Sequence, residues 1–430
     1  MFSSFFSTSA PVDPTAPNFH PVSTGKGPNE LFGELEPKDT EWLCSGGFVA
    51  ETQIWYHILE DGTSLMVQII HSSIGVWYPT VQATCRIYNP NTKETTWRSI
   101  NVSNFTTPPP GLDKRSSRSD QFTITHKTLP KSSDSPSEYA ESYTINVNFS
   151  SDLQISLDVR RPTSVPGFKI GKGPKGGYSY FGHDLEKPDG YVIHRFWPRA
   201  VATGHVIQNG KATSVEGPGM FVHAIQGMRP NLVAARWNFG HFQSQQHGGV
   251  SAILMDFTTI NDYGGKGAGS GFVNVSVGGL VIANKLVAVT AETKWPGEEQ
   301  DANAVVKSRA THLDAAHDPD TGYDEPSRLL FHWAGPSLLP EAPGNVTGTI
   351  NVDLGGPGKE KGLIEKVDFL AEIPTVVKAV VSYVAGTKPY IYQWHNPGKI
   401  TLTGPDEILP GLSGGLEAEG YIYNECTFIS

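Results

Sequence analysis

The sequence predicts an all-β protein, and three observations carry this prediction. Strand-length runs rich in Val, Ile, Thr, Tyr, Phe and Trp recur along most of the 430 residues. Glycine (46 residues) and proline (32 residues) are spread between these runs, as the turns of a many-stranded protein require. A single segment has good helical spacing of apolar residues. Many strands with one short helix favour a β-sandwich or a β-barrel.

The first half of the chain is predicted to begin with a leader and continue as strands. Residues 1–41 are rich in Pro, Ser and Gly, and we expect them to form an extended, disordered leader. Residues 106–140 contain three consecutive prolines and many polar residues, which predicts a long loop broken by one strand. The predicted strands of this half are 48–58, 64–74, 81–88, 95–104, 121–126, 142–149, 153–159, 191–197 and 204–208.

The second half continues the pattern and contains the one predicted helix, near the C-terminus. Pro374 fits a first helical position, a stripe of valines follows over 376–384, and Gly386 fits the end of the helix. Residues 296–326 are polar and acidic and are predicted to be an exposed insertion. The predicted strands are 219–225, 232–239, 249–258, 271–277, 279–290, 327–333, 345–354, 363–371, 390–403 and 420–429.

Composition and charge exclude several classes of partner. The formal net charge is −10 and no basic stripe with interleaved aromatics occurs, so we expect no nucleic-acid partner. No stretch of 18 apolar residues exists, so we expect no stable insertion into a membrane. The three cysteines (Cys44, Cys85 and Cys426) are odd in number and far apart, which is typical of reduced thiols inside a cell. We therefore expect a cytoplasmic protein.

Two short catalytic patterns occur, and their context argues against both. Residues 411–415 read G-L-S-G-G, which fits a nucleophile elbow, but no His and no Asp follow to complete a triad. Residues 171–176 read G-K-G-P-K-G, which fits a dinucleotide fingerprint, but a predicted strand follows where a phosphate-binding helix is needed.

Possible metal ligands were weighed in the same way. A group of His and Asp residues crowds one polar segment, yet it lacks the spacing of an EF-hand or of a zinc-protease motif, and a solvated acidic loop explains it better. The cysteines lack zinc-site spacing as well. We therefore expect no metal and no cofactor. The crowded residues are His312, Asp314, His317, Asp318 and Asp320.

The middle of the chain interleaves polar and aromatic residues within predicted strands, at 194–199, 221–230 and 234–243. Strand alternation places such residues on opposite faces, so one face must carry polar groups near a core. Two interpretations stay open here. The polar groups form a structural network that ties two sheets together, or they converge in an apolar cavity that binds a small molecule.

At these segments the sequence resembles the fungal survival-factor family. The resemblance runs from about residue 42 to the C-terminus, and its pieces are specific only when taken together. They are ETQIWY at 51–56, QIIHS at 68–72, the three segments above, DFTT at 256–259, EIP at 372–374, GTKPYIYQ at 386–393 and TFIS at 427–430. The resemblance implies two tandem lipocalin-like domains, which we place at 42–208 and 209–430.

The resemblance also implies two functions. Some relatives look like pericyclases of natural-product pathways, which join a tropolone-derived ortho-quinone methide to a humulene-type sesquiterpene by a hetero-Diels–Alder reaction. Typical members look like intracellular sphingolipid- or ceramide-binding transfer proteins linked to oxidative-stress survival. The leader here replaces the family's usual membrane-contacting helix, and His241 adds an imidazole to the central cluster. We therefore expect the pericyclase activity, with the lipid carrier as the alternative.

The site residues expected for a pericyclase follow from the chemistry of a cycloaddition. Arginines are expected to bind substrate oxygens, histidines to donate a proton, and aromatic and amide residues to line an apolar pocket. The expected catalytic residues are His194, His223, His241, Arg195, Arg199 and Arg236. The expected substrate-binding residues are Tyr56, Trp197, Gln226, Trp237, Asn238, Trp333 and Trp394.

Overall fold

The computed structural model describes residues 16–75, 79–109, 111–129, 138–265, 270–299, 301–368 and 388–429. The all-β prediction is confirmed, because the described residues form two large antiparallel sheets and a two-stranded ribbon. The one α-helix among them is α1 (Pro230–Val233). The helix predicted near the C-terminus lies outside the described residues.

The first sheet contains β1 to β14, and its main path runs in the order β6-β5-β4-β3-β14-β13-β10-β9-β8-β7. Near its two ends β6 and β9 contact each other, so the sheet is strongly curled. Its strands are β1 (Phe19–His20), β2 (Phe32–Glu34), β3 (Gly47–Ile58), β4 (Ser64–Gly75), β5 (Thr80–Tyr88), β6 (Thr95–Asn101), β7 (Ser117–Arg118), β8 (Phe122–Thr128), β9 (Tyr139–Ser150), β10 (Leu153–Pro162), β11 (Phe168–Ile170), β12 (Tyr178–Phe181), β13 (Gly190–Gln208) and β14 (Lys211–Gln226).

The second sheet runs in the order β18-β17-β16-β15-β26-β25-β23-β22-β19, with β24 paired to β25. Its end strands β18 and β19 contact each other, so this sheet is nearly closed. The remaining strands are β15 (Arg236–Ser244), β16 (Val250–Thr258), β17 (Asn274–Ile282), β18 (Lys285–Lys294), β19 (Lys307–Leu313), β20 (Ala316–His317), β21 (Asp324–Glu325), β22 (Arg328–Pro336), β23 (Asn345–Asp353), β24 (Leu363–Asp368), β25 (Tyr390–Thr403) and β26 (Leu416–Phe428). β20 and β21 form the separate ribbon.

Alternation of apolar and polar residues explains which face of each strand is buried. In β10 the side chains of Leu153, Ile155, Leu157 and Val159 are buried, while the residues between them are less buried. A period of two is what a strand with one core-facing side requires. The curled first sheet therefore encloses its own apolar core, which also holds the fully buried Trp55, Tyr143, Trp197 and Phe221.

The described part of the predicted leader, residues 16–41, is not extended or disordered, and this corrects the expectation drawn from its composition. β1 pairs with β12 and β2 pairs with β11. Phe19, Val22 and Leu31 are buried in a core that also contains residues of the second sheet. Proline-rich composition misled the prediction because these prolines begin short 3-10 turns, Pro28–Glu30 and Pro37–Thr40, that let apolar side chains pack between them.

The predicted division at residues 208 and 209 falls at the tip of the β13–β14 hairpin, and both strands of this hairpin lie in the first sheet. Asn209 and Gly210 form the turn, both with positive φ. The chain passes from the first sheet to the second between Gln226 and Arg236, about twenty residues later. That two domains of this kind fold as separate units stays a prediction.

The two sheets pack against each other over a shared core. Tyr56 and Met66 of the first sheet belong to the same buried cluster as Phe239, Phe257 and Tyr423 of the second. Tyr56 stacks on Tyr423 with ring centroids 5.5 Å apart. The outer face of β3–β5 therefore meets the face of β15 and β26 that points away from the second sheet's interior.

Candidate functional site

The predicted site residues do not converge on one place. The structure distributes them over four regions: the interior of the first sheet, the polar layer between the sheets, a small cavity beside that layer, and the interior of the second sheet. Within each region, a polar side chain is either hydrogen-bonded to other groups of the protein or left without a partner. A group that is satisfied holds the fold together, whereas one without a partner is available to a ligand.

Arg195 and His223 lie in an ion-pair network with Asp39, which precedes β3, and with Glu51 of β3 and Lys169 of β11. Arg195 donates to the backbone carbonyl of Asp39 (2.6 Å), and Nζ of Lys169 lies 2.7 Å from the Asp39 carboxylate. The ring nitrogens of His223 contact the Asp39 carbonyl (2.8 Å) and Oε1 of Glu51 (2.9 Å). Protein oxygens thus occupy both nitrogens, which explains His223 as a structural residue and leaves no free proton donor for a substrate.

This network holds a plug, which we define as residues 36–44, in the mouth of the first sheet. Asp39 and Thr40 are buried, and the fully buried Trp42 packs edge-on against Phe105. Glu51 accepts backbone N–H groups of Leu43 and Cys44 from the end of the plug. Burial alone raises the pKa of Glu51, but the hydrogen bonds from His223 and from these N–H groups outweigh burial and lower it.

Two further predicted residues in this half of the molecule serve the fold. Trp197 is buried in the core of the first sheet, 5.1 Å between centroids from both Tyr143 and Phe221. Gln226 donates to the backbone carbonyl of Met228, at the turn that leads to the second sheet. Neither residue lies in a described cavity, so both are core and turn residues rather than the walls of a substrate pocket.

The layer between the sheets contains Tyr56, His241 and Arg199. Nη1 of Arg199 donates to Oε1 of Gln243 (2.9 Å), to Ser251 Oγ (3.0 Å) and to two backbone carbonyls. Gln243 donates to Nε2 of His241 (2.8 Å), and the ring of His241 lies 6.0 Å from that of Tyr56. Burial lowers the pKa of Arg199 to about 10. Arg199, Gln243, Ser251 and Nε2 of His241 thus form one hydrogen-bonded group between the sheets, while Nδ1 of His241 has no partner among the described residues.

The same layer contains a group that the sequence analysis missed. Arg86 of β5 is buried and donates from Nη1 to Gln393 Oε1 (2.5 Å) and to the hydroxyl of Tyr423 (2.9 Å). Gln393 in turn donates to Glu425, which Tyr423 also contacts. The sequence signal was a charged residue within the apolar run 81–88, and its partners lie more than 300 residues away.

His194 and Trp237 lie beside a small cavity between the sheets. The cavity is lined by Val22, Ile170, Ser179, His194, Met255 and Phe257, among others. Its volume of about 10 Å³ gives room for one water molecule at most. Burial lowers the pKa of His194 to about 4, and Trp237 contacts His194 edge-on at 5.8 Å. The cavity is too small for any of the substrates considered above.

The interior of the second sheet brings together Arg236, Asn238, Trp333 and Trp394. Asn238 donates to Asp256 Oδ1 (2.7 Å) and accepts from Nε2 of His312 (2.7 Å). Asn274 donates to the other oxygen of Asp256 (2.7 Å). Burial raises the pKa of Asp256, against the lowering effect of the two amides and of Arg236. Burial and the charge of Arg236 lower the pKa of His312 to about 3.

Deeper in the same interior, two neighbouring polar side chains lack partners. Trp394 on β25 and Asn424 on β26 are directly opposite in register. Both are fully buried. Within the described part of the chain, neither the indole Nε1 of Trp394 nor Nδ2 and Oδ1 of Asn424 has a hydrogen-bond partner. Unpaired buried polar groups are rare and costly, so Trp394 and Asn424 are candidates for contact with a ligand.

An apolar wall surrounds these polar groups. We define the inner column as the mouth group Arg236, Asn238, Asp256 and His312 together with the deeper pair Trp394 and Asn424. Trp333 is held in the wall by a hydrogen bond from Nε1 to the backbone carbonyl of Ile253 (2.7 Å). Other wall residues are Phe242, Leu254, Leu280, Phe331, Tyr392 and Phe428. Polar groups set in an apolar enclosure are the usual anatomy of a site for a lipid-like molecule.

Asp256, His312 and Asn424 are not among the site residues that were predicted from the sequence. His312 belongs to β19, whose side chains at 308, 310 and 312 share a face with Leu329, Phe331 and Trp333 of β22. The prediction of an exposed insertion over 296–326 is thus wrong for β19. This strand has few apolar residues, so the sequence pattern did not identify it, although it closes the second sheet. Asn424 lies two residues from the buried Ile422 and two from the buried Cys426, so all three share one face of β26. This period of two is the one sequence signal that could have revealed Asn424 as a buried residue.

The acidic segment 312–320 does not gather metal ligands. His312 points into the second sheet, Asp314 pairs with Arg328 (2.6 Å), and Asp318 pairs with Lys366 (2.9 Å). Across the described ranges, the one group of three potential ligands that lie close together is Cys44, Glu51 and His71. It lies at the plug, far in sequence from this segment.

No helix within the described residues is long and apolar enough to cross a membrane.

Comparison with known proteins gives a consistent result over the whole chain. A model of the Svf1 family matches residues 2–430. A ceramide-binding protein svf1 of Schizosaccharomyces pombe is 31% identical over 93% of this chain and 90% of its own length. A ceramide-binding protein SVF1 of Yarrowia lipolytica is 32% identical over 96% of this chain and 94% of its own length. The resemblance to the survival-factor family is therefore confirmed.

Among solved structures, the crystal structure of CghA aligns with a TM-score of 0.51 at 12% identity, over 96% of this chain and 98% of that one. This likeness concerns the fold alone.

The names of the relatives contradict the prediction that this protein is an enzyme. Proteins about 30% identical over more than nine-tenths of the chain are named ceramide-binding proteins, and none of these names denotes an enzyme. The pericyclase prediction was wrong, as was the tropolone and sesquiterpene substrate pair. The structure also argues against the pericyclase prediction. The expected catalytic residues His223 and Arg199 are hydrogen-bonded to protein oxygens, and the expected site residues are distributed over four regions.

Proposed function

We propose, from the premise that the chain belongs to the Svf1 family, that it binds ceramide or a closely related sphingolipid and carries it between membranes. The observation that carries the proposal is the shared name of relatives aligned over nearly their whole length, all ceramide-binding proteins. A carrier of this kind works in the cytoplasm, and that localisation is part of the proposal.

The chemistry of the inner column supports the proposal. A ceramide has two long apolar chains, one secondary amide and two hydroxyls, so its polar part both donates and accepts hydrogen bonds. Asn424 offers an unpaired donor and an unpaired acceptor, and Trp394 offers an unpaired donor. The carbonyl oxygen of a secondary amide placed between them can accept from Trp394 Nε1 and from Asn424 Nδ2. This would recover the free energy of about 1–3 kcal/mol that each unpaired buried polar group costs.

The mouth group supplies the remaining chemistry. Asp256 and Asn238 lie two residues from the strand ends, at the end of the sheet where β15 pairs with Phe428 of β26. Asp256 and Asn238 are already hydrogen-bonded to neighbouring side chains, whereas the buried Nε of Arg236 has no partner among the described residues and can donate to a hydroxyl. We assign the hydroxyl end of the lipid to this mouth group and its amide to Trp394 and Asn424. The two hydrocarbon chains of the lipid then replace contacts between the apolar wall residues, which requires the wall to move apart.

A lipid-extraction assay tests the proposal. Vesicles containing a fluorescent ceramide are incubated with the purified full-length chain, and the protein-bound lipid is measured after the vesicles are removed. We expect saturable, one-to-one extraction. Matched vesicles with fluorescent diacylglycerol, which has esters in place of the amide N–H, should be extracted much less. Failure to extract either lipid, or equal extraction of both, would contradict the proposal.

A second candidate function has no support of comparable weight. The groove on the outside of the first sheet, lined by Asn146, Gln154, Ser156 and His205 among others, is open to solvent. Most of its lining residues are polar, and we assign no ligand to it.

A further inference from the structure

Three side chains that bind metals in other proteins meet beside the plug. Cys44 ends the plug, Glu51 lies on β3 and His71 lies on β4, directly across the ladder from Glu51. One ligand atom from each lies within 4.8 Å of the others. No sequence motif reveals this group, because its members are spaced 7 and 20 residues apart and come from three different elements.

An unpartnered imidazole points to a missing ligand at this place. His71 is only 4% exposed, and its Nδ1 has no hydrogen-bond partner among the residues that the structure describes. The neighbouring His223, by contrast, has both nitrogens occupied. An imidazole with an unpaired nitrogen, buried beside a carboxylate and a thiol, provides the donor groups that a zinc ion binds.

We propose that Cys44, Glu51 and His71 bind a zinc ion, with a water molecule as the fourth ligand. Thiolate, imidazole and carboxylate together are a donor set that suits zinc better than calcium or magnesium, which prefer oxygen ligands alone. Zinc–ligand bonds of about 2.0–2.3 Å bring the ligand atoms to within roughly 3.3–3.8 Å of one another. Because the three atoms lie within 4.8 Å of one another, their separations have to shorten by no more than about 1–1.5 Å.

Glu51 retains the capacity to bind a metal despite its other contacts. Its Oε1 accepts from Leu43 N and contacts His223, so that oxygen is fully used. Its Oε2 accepts only the backbone N–H of Cys44 (2.7 Å) in the described structure, which leaves one lone pair. The existing hydrogen bonds fix the orientation of the carboxylate, as outer partners of a metal ligand commonly do.

Zinc binding at this site would have a defined proton balance and a structural effect. The Cys44 thiol loses its proton to solvent as the zinc–sulfur bond forms, so each zinc bound releases one proton. The ion would link the plug to β3 and β4 and hold the plug in the mouth of the first sheet.

The test uses the full-length chain freed of metal with a chelator. Zinc is titrated in competition with a chromophoric chelator, and cobalt is titrated separately to detect the thiolate-to-cobalt charge-transfer band. We expect one zinc per chain and a cobalt spectrum with that band. The variants Cys44→Ser and His71→Ala should each weaken zinc binding by more than the roughly 10–100-fold that loss of an outer partner costs.

Cys85→Ala is the matched control, because Cys85 is fully buried in the core of the first sheet on β5 and should leave zinc binding unchanged. Cys44 is only partly buried, so its serine variant should fold, and near-UV circular dichroism verifies this for every variant. The proposal is overturned if the wild-type chain shows no saturable zinc binding at micromolar concentrations, or if Cys44→Ser binds zinc as tightly as the wild type.

Discussion

Arg86 of the first sheet contacts Tyr423 of the second in two ways. Its Nη1 donates to the tyrosine hydroxyl at 2.9 Å, and its Cζ lies 4.3 Å from the centre of the tyrosine ring. Because both residues are buried, this contact is shielded from solvent and joins the two sheets at one point.

Replacing this arginine should weaken the whole molecule. In Arg86→Met the apolar stem is retained, but Tyr423, Gln393 and Glu425 lose the cation they surround. We expect the free energy of unfolding to fall by about 3 kcal/mol, measured by urea denaturation. The control is Arg98→Met, whose salt bridge to Asp152 is 3.6 Å long and half-exposed. It should change stability by less than about 1 kcal/mol. Equal effects of both variants would refute the assigned role of Arg86.

Removing the unpaired amide in the second sheet should separate stability from binding. Asn424→Leu replaces a buried, unsatisfied carboxamide with an apolar side chain of similar size. We expect the unfolding free energy to stay the same or rise by about 1–3 kcal/mol, while ceramide extraction falls sharply. The exposed Asn345→Leu makes the same chemical change and should affect neither quantity. Loss of stability in Asn424→Leu would mean that the amide has a structural partner.

The ion pair that holds the plug should be essential to the first sheet. Asp39→Asn leaves Lys169 and Arg195 buried without their carboxylate. We expect a loss of about 3–5 kcal/mol in the free energy of unfolding, seen as a lower denaturation midpoint. Glu186→Gln, in an exposed pair with Lys175 at 3.9 Å, is the control and should have no measurable effect. A truncated chain that begins at residue 42 should behave like Asp39→Asn or worse.

Stability should fall as the pH falls below neutral. Burial lowers the pKa of His57 to about 3 and that of His395 to about 4, from an ordinary value of 6.5. Between pH 6.5 and about 4 the unfolded chain therefore binds more protons than the folded one, so acid favours unfolding. His57→Leu should reduce the pH slope of the unfolding free energy by up to about 1.4 kcal/mol per pH unit.

The measurement is urea denaturation at several pH values between 4 and 7. The exposed His205→Asn serves as the control and should leave the slope as in the wild type. An unchanged slope in His57→Leu would show that this imidazole is not the buried, neutral group described here.

Local pattern was enough to predict most strands, and it failed where a partner is remote. The alternation of Leu153, Ile155 and Leu157 is visible in the sequence, because each strand carries its own record of which face is buried. The leader was mispredicted because Phe19 and Leu31 are buried by residues more than 130 positions away. The composition of a segment indicates its local conformational preference, and it carries no information about distant residues that pack against the segment.

The candidate site was predictable in part for the same reason. Arg236, Asn238, Trp333 and Trp394 were chosen as polar or aromatic residues in strands, and they do meet in the second sheet. Arg199 and His223 have the same sequence features but are satisfied elsewhere. Which buried polar group is left without a partner depends on register across β25 and β26, which only the folded chain reveals.

The pairing of β3 with β14 has a consequence for how the chain is made. His57 is hydrogen-bonded in register with Gly219, so one edge of β3 has no partner until some 160 more residues have left the ribosome. The plug also lacks one of its hydrogen-bond partners until β14 has been synthesised, because the carbonyl of Asp39 contacts His223. A nascent chain therefore carries an open strand edge during more than a third of its synthesis. Slow, long-range closure of this kind makes the newborn protein dependent on protection from aggregation.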